Sequence, residues 1–158
     1  MTKAVFAGSF DPFTLGHKDI AIRAASLFDC VIIAVAKQTG KNSRSLSDRK
    51  EIIAQSIGDV ANIEIKEFDG LLTEFLRQND ASILVRGVRS SIDFEYEKSL
   101  MGVYRSLYDK IEFVLLPSKP ELNHVSSTVV RELVKLSASI DGCVDTKAKE
   151  FIEKLYRE

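Results

Sequence analysis

The sequence predicts one α/β domain over residues 1–158, a Rossmann-like parallel sheet of five strands with helices on both faces. Three observations carry that expectation. Short apolar runs alternate with segments of helical periodicity in the order βαβαβαβαβαα. Several of the runs are continuously rich in Val, Ile and Leu, the pattern of strands buried on both faces. No repeat, low-complexity tract or Gly/Ser/Pro-rich linker interrupts a chain whose 158 residues suit a single core.

The elements follow in order. Lys3–Ala7 reads as the first strand, and His17–Phe28 as a helix with Ile20, Ala24, Leu27 and Phe28 on one face. Cys30–Ala36 is the second strand. Ser47 is placed to cap a helix running to Ile57, with Asp48 in its first turn and Ile53 and Ile57 on one stripe. Ile63–Phe68 alternates as a third strand, and Leu71–Asn79 carries Leu72, Phe75 and Leu76 at helical spacing. Ser82–Val85 is the fourth strand. In the long segment Ser91–Leu107, Tyr96, Leu100, Val103 and Leu107 recur as a helical stripe. Ile111–Leu116 is the fifth strand. Val129, Leu133 and Leu136 mark one further helix, and Phe151, Ile152 and Leu155 the last. Open parallel sheets bind ligands at the carboxyl ends of their strands, so the chemistry is expected just after Ala7, Ala36, Val85 and Leu116.

Composition narrows the function. Apolar residues make up 45% and charged residues 28%, a soluble globular mixture, and the net charge of −1 leaves no global field to hold a nucleic-acid backbone. An anionic ligand must therefore meet a local positive cluster. No apolar run reaches bilayer length and the N-terminus lacks a signal-peptide pattern, so a membrane partner is not expected either. Cys30 and Cys143 show no metal-ligand spacing and read as core fillers in a reducing cytoplasm. With only two histidines, a histidine-rich metal site is not expected.

Four segments at the expected strand ends can carry chemistry. Gly8-Ser9-Phe10-Asp11-Pro12-Phe13-Thr14-Leu15-Gly16-His17 leads into the first helix, whose free N–H groups and dipole favour phosphate. There His17 should be neutral when the site is empty and a strong donor when phosphate binds. Arg86-Gly87-Val88-Arg89 places two guanidiniums where they can grip phosphate oxygens, or simply stand solvated in a loop. Leu122-Asn123-His124-Val125 leads to Ser126-Ser127-Thr128, hydroxyl residues suited both to capping the following helix and to donating to a polyphosphate. The loop Lys37–Leu46 contributes Lys37, Lys41 and Arg44. Glycines stand at 8, 16, 40, 58, 70, 87, 102 and 142, spacings that exclude both GxGxxG and GxxxxGK, so any nucleotide is bound another way.

Gly8-Ser9-Phe10-Asp11-Pro12 with Thr14-Leu15-Gly16-His17 resembles the first signature of the nucleotidyltransferase superfamily, in its TxGH form. Val125-Ser126-Ser127-Thr128-Val129-Val130-Arg131 resembles that superfamily's ISSTxxR motif. Arg86-Gly87-Val88-Arg89 followed by Asp93-Phe94-Glu95-Tyr96-Glu97 resembles the RGLR…DFEYE stretch of the phosphopantetheine adenylyltransferases. These matches are collinear over most of the chain. The resemblance implies adenylyl transfer from ATP to 4′-phosphopantetheine with Mg²⁺, the penultimate step of coenzyme A synthesis, by a cytoplasmic homohexamer open to feedback by coenzyme A. It implies His17, Lys41 and Arg89 as catalytic residues. It assigns ATP to Ser9, Phe10, His17, Gly87, Val88, Arg89, Glu97 and the loop Leu122, Asn123, His124, Val125, Ser126, Ser127 and Thr128. The acceptor falls to Ser9, Lys41, Leu72 and Arg86. Ser9 stands where threonine is frequent, Val125 replaces an isoleucine, and the Lys37–Leu46 loop is about one residue shorter than in some relatives. The competing readings are a sister transferase using nicotinate mononucleotide or CTP, and a nucleotide-binding module without catalysis.

Overall fold

The computed structural model describes residues 1–157. Strands β1 (Lys3–Gly8), β2 (Cys30–Ala36), β3 (Ile63–Phe68), β4 (Ile83–Val88) and β5 (Glu112–Pro117) alternate with helices α1 (Leu15–Leu27), α2 (Leu46–Ile57), α3 (Leu72–Gln78) and α4 (Ser91–Leu107). Helices α5 (Ser127–Lys135) and α6 (Thr146–Arg157) follow, after a short 3₁₀ turn at Pro120–Leu122. The strands form one parallel sheet in the order β3-β2-β1-β4-β5. The expected five-stranded α/β domain is what forms. The chain winds outward from β1 to β3 and then returns to the other side of β1, so the crevice between the carboxyl ends of β1 and β4 is the topological switch point.

Strand parity divides the core into two layers. Along β2, Val31, Ile33 and Val35 join the cluster under α1, α2, α5 and α6, where Ile20, Ile52, Ile53, Val130 and Ile152 are buried. Cys30, Ile32 and Ala34 face the opposite layer, packed against Leu72, Phe75 and Leu76 of α3. This explains the continuous apolar reading of β2: both of its faces are covered.

Several boundaries and stripes differ from the sequence expectation. Thr14, not His17, opens α1, and Ser45, not Ser47, caps α2. Ser45 accepts from the Asp48 N–H at 3.1 Å while donating to the Asp48 carboxylate at 2.7 Å, a reciprocal cap that Ser47 is too close to Asp48 to make. β4 continues to Val88, so Arg86, Gly87 and Val88 are strand residues rather than loop residues. On α5 the buried stripe is Val130 and Val134, leaving Val129 and Leu136 in solvent; on α1, Leu27 is exposed beyond Ile20 and Ala24. The largest departure is α4. Glu97 alone is buried there, Tyr104 and Tyr108 pack partly on the sheet, and Ile92, Phe94, Tyr96, Val103 and Leu107 are exposed. The residues at 97, 104 and 108 lie about one residue's rotation from the expected stripe, which therefore faces outward.

Gly87 lets α1 approach the switch point. A Cβ there would lie 3.0 Å from Ile20 Cγ1 and 3.4 Å from its Cδ1. Gly87→Ala should therefore cost about 1–3 kcal/mol, the usual range for overpacking. In an Ile20→Ala background that cost should shrink to within error in a double-mutant unfolding cycle. Equal costs in both backgrounds would place the effect elsewhere.

Candidate active site

The site is built outward from the first turn of α1. Thr14 lies in extended backbone, and its Oγ1 accepts the His17 backbone N–H at 3.3 Å. In return His17 Nδ1 accepts the Thr14 backbone N–H at 3.0 Å. This is a capping box in which an imidazole takes the place usually held by Glu or Gln. It also settles the tautomer: with Nδ1 occupied as an acceptor, a neutral His17 carries its proton on Nε2.

Aromatic rings hold that imidazole. The Phe13 ring stacks on it at 5.5 Å, the Phe10 ring meets it edge-on at 5.1 Å, and Phe6 lies 6.3 Å away. Phe10 adopts φ 49, a left-handed conformation that costs a non-glycine residue about 1–2 kcal/mol. Its buried ring, packed edge-on to Phe6 and Phe13, makes that conformation worth holding. Burial lowers the His17 pKa from 6.5 to about 4, and the positive charge of Arg89 adds to the shift. The helix dipole acts in the same direction. His17 is thus a neutral donor at physiological pH, as the sequence led one to expect.

The end of β4 supplies the positive charge. Arg86 grips Glu97 of α4 with two contacts of 2.9 Å, from Nε and Nη2. That occupies one edge of its guanidinium and leaves Nη1 on the other side. Arg89 is held by Asp93, whose carboxylate accepts the Arg89 backbone N–H at 2.9 Å and its Nε at 3.3 Å. From the other side, Ser126 caps α5 by accepting the Val129 N–H at 3.1 Å. Ser127 Oγ donates to the Pro12 carbonyl at 2.7 Å, and Arg131 Nη1 donates to the Asp11 carbonyl at 2.7 Å. The two signature segments are therefore fastened to each other.

Together these elements enclose a cleft of about 390 Å³ at the switch point. Of the residues singled out from the sequence, Ser9, Phe10, His17, Arg86, Gly87, Arg89, Glu97, Leu122, Val125, Ser126 and Ser127 line it. Lys41 is exposed and lines an adjoining groove with Ser9, Asp11 and Arg131. Leu72 is packed in the core against α3's own neighbours, and Val88 is half-buried at the strand end. Asn123, His124 and Thr128 are exposed outside the cleft wall. Sequence reasoning missed Asp93, Tyr96 and Ser118, which also line the cleft. It missed Arg49 and Tyr156 as well, both buried and both tied to the Ser9–Asp11 turn. Arg49 did leave a signal: it shares the helical stripe of Ile53 and Ile57, where a charged residue is out of place.

Fold and site define a class: a Rossmann-like fold whose strand-end cleft brings a neutral imidazole together with two arginines and the serines of two loops. The cytidylyltransferase-like family matches residues 5–133. Individual relatives are more specific. The chain is 40% identical over 148 residues to the phosphopantetheine adenylyltransferase of Aromatoleum aromaticum, covering 93% of this chain and 91% of that one. It is 41% identical over 145 residues to that of Nitrosomonas eutropha, covering 91% and 88%. The chain belongs to the phosphopantetheine adenylyltransferase family. Among solved structures, nicotinic acid mononucleotide adenylyltransferase of Plasmodium falciparum, complexed with NaAD, superposes with a TM-score of 0.72 over 99% of this chain and 97% of that one, at 15% identity, a likeness of fold.

The depressed His17 pKa has a measurable consequence. Between pH 6.5 and 4 the unfolded chain protonates this histidine while the folded chain resists, so folding stability falls as pH drops through that window and is unaffected above it. A His17→Gln variant, whose amide oxygen can still accept the Thr14 N–H, does not titrate. Relative to that variant, the wild type should lose about 1–3 kcal/mol between pH 6.5 and 4 in denaturant titrations. A difference independent of pH would contradict the buried neutral imidazole.

Proposed function

We propose that this chain transfers the adenylyl group of ATP to 4′-phosphopantetheine, releasing pyrophosphate and forming dephospho-coenzyme A, the penultimate step of coenzyme A synthesis. The observation that carries the proposal is the His17 Nε2–H donor, fixed by the Thr14 cap at the N-terminus of α1 and facing a cleft that also holds Arg86 and Arg89. The family membership given by relatives at about two-fifths identity supports the choice of acceptor.

An acceptor phosphate oxygen attacks the α-phosphorus of ATP, and the α–β bridging oxygen leaves with pyrophosphate. The acceptor phosphate has a second pKa of about 6, so it attacks as the dianion and no general base is required. The protein's work is positioning and charge neutralisation. His17 Nε2–H donates to the α-phosphate as its charge develops. Arg89, Ser126 and Ser127 line the nucleotide side, with Phe10, Gly87, Leu122, Val125 and Ser9, which also meets the acceptor; Val88, Asn123, His124 and Thr128 are assigned to the nucleotide from outside the cleft wall. Arg86 presents its free edge to the acceptor phosphate, with Lys41 closing from the adjoining groove and Leu72 backing the pantetheine side. Glu97, which the resemblance assigned to ATP, orients the Arg86 guanidinium and so acts on the acceptor side of the cleft.

Mg²⁺ would enter as part of the Mg·ATP substrate and would supply charge neutralisation on its phosphates. Among the described residues no three His, Cys, Asp or Glu side chains gather to hold a metal, and the cleft carboxylates Asp93 and Glu97 are engaged by arginines. A homohexamer is proposed from the family resemblance; the exposed apolar face of α4, with Ile92 at 79% exposure, supports a self-association surface without fixing the number of copies. Coenzyme A shares the pantetheine and adenylyl parts of the product and is proposed to compete at the same cleft. Both thiols are free, and among the described residues no helix is long and apolar enough to cross a membrane; the reaction is proposed for the cytoplasm.

Pyrophosphate release from Mg·ATP, measured with and without 4′-phosphopantetheine and with products identified by mass spectrometry, tests this. Acceptor-dependent release with dephospho-coenzyme A is expected. Release with nicotinate mononucleotide instead would move the protein to a sister activity. ATP binding without release for any acceptor would leave a nucleotide-binding module. His17→Ala should lower kcat by about 10²–10³-fold, the loss typical of one preorganised donor. A loss below about tenfold would remove His17 from the transition state.

A further inference from the structure

The least expected charge in the molecule is Arg49. It lies on the core-facing stripe of α2 and is 1% exposed, yet among the described residues it has no carboxylate partner. An arginine is buried at a high desolvation cost unless its donors are met. Here they are met by backbone carbonyls. Nη1 donates to Ser9 at 2.7 Å and to Ala36 at 2.9 Å, Nε donates to Arg44 at 2.9 Å, and Nη2 reaches Lys37 at 3.4 Å.

The choice of carbonyls is informative. Ala36 ends β2, and Ser9 follows directly on the end of β1. Lys37 and Arg44 are the two ends of the loop that carries Lys41. One guanidinium therefore closes that loop at both ends and fastens it to the turn that carries Ser9. It also pairs four carbonyl oxygens with a positive charge near the strand ends, where bare oxygens would repel a phosphate. A second set of contacts, through different atoms, fastens the same pieces. The buried Asp11 carboxylate accepts the Arg44 backbone N–H at 3.3 Å and the Tyr156 hydroxyl of α6. Burial, and then the hydrogen bond to Asp11, push the Tyr156 pKa well above its usual value, so its hydroxyl remains a donor. The Arg44 guanidinium lies over the Tyr156 ring at 5.2 Å.

We propose that Arg49 is a positioning residue for adenylyl transfer: it sets the distance between Ser9 and Lys41 by clamping the 37–44 loop onto the strand-end turn. The proposal rests on the reading that Ser9 and Lys41 meet the acceptor, but the clamp itself can be tested without turnover.

Two variants suit the test. Arg49→Lys keeps the charge on one nitrogen that cannot span four carbonyls, and Arg49→Gln keeps two donors without the charge; whichever folds with a cooperative thermal transition is used. The first readout is trypsin cleavage after Lys41 in the full chain. The variant should be cut there about tenfold faster than wild type, while sites in β1 and α1 stay protected. The second readout is kinetic. kcat should fall about 10–100-fold, the cost of misplacing a reacting group, with KM for ATP changed less than about threefold. Lys41→Ala should then cost much less in the variant than in wild type. Unchanged cleavage after Lys41 would overturn the clamp. Unchanged kcat, or a Lys41→Ala effect undiminished by the variant, would overturn its role in positioning. A wild-type enzyme inactive with this acceptor, alongside faster loop cleavage in the variant, would leave the clamp standing and refute the reaction assigned above.

Discussion

The reciprocal hydrogen bonds between Thr14 and His17 set the rest of the site. They decide where α1 begins, and so where its positive end points. They decide which imidazole nitrogen carries the proton. Aromatic rings from β1 and the following turn then fix the plane of the imidazole and remove water from around it, which keeps it neutral. A solvated histidine at this position would protonate near pH 6.5 and would meet the helix dipole unfavourably. The burial that depresses its pKa is thus what makes it a reliable donor near neutral pH.

Around this neutral donor the charges are arranged in two ways. At the β4 end, each arginine is braced by a carboxylate from α4: Arg86 by Glu97 and Arg89 by Asp93. The brace fixes a guanidinium that would otherwise sample many rotamers, and an anion arriving at its free edge meets a preorganised partner. At the β2 end, Arg49 is braced by carbonyls alone, so its charge is not cancelled by an acid. The difference matters for stability. Losing Glu97 would strand a half-buried arginine, while losing Arg49 would strand up to four carbonyls at once.

The sheet was readable in the sequence because parity leaves a plain mark: β2 is apolar at every position when both of its faces are buried. The first signature was readable because Gly, Thr and His at fixed offsets have few other reasons to stand together. Helix boundaries were less so. Ser45 and Ser47 both precede the α2 stripe, and only the reciprocal bond with Asp48 distinguishes them. The α4 stripe was read correctly as apolar but its burial was not, since periodicity reports a face and cannot say what covers it. Tyr156 was invisible for another reason: it lies 145 residues from Asp11, and nothing local marks a pairing across that distance. The ion pairs at the β4 end were half legible. Arg86, Arg89 and Glu97 were each seen as ligand contacts and Asp93 was not seen, whereas the structure joins each arginine to a carboxylate.

The most direct test of this account is the state of His17 itself, read by ¹⁵N NMR of histidine-labelled protein between pH 3.5 and 8, free and with a non-hydrolysable ATP analogue. The account predicts the Nε2–H tautomer in the free protein, a pKa close to 4, and a rise in that pKa when the nucleotide's phosphates arrive. An Nδ1–H tautomer, or a free-state pKa at or above 6.5, would contradict it.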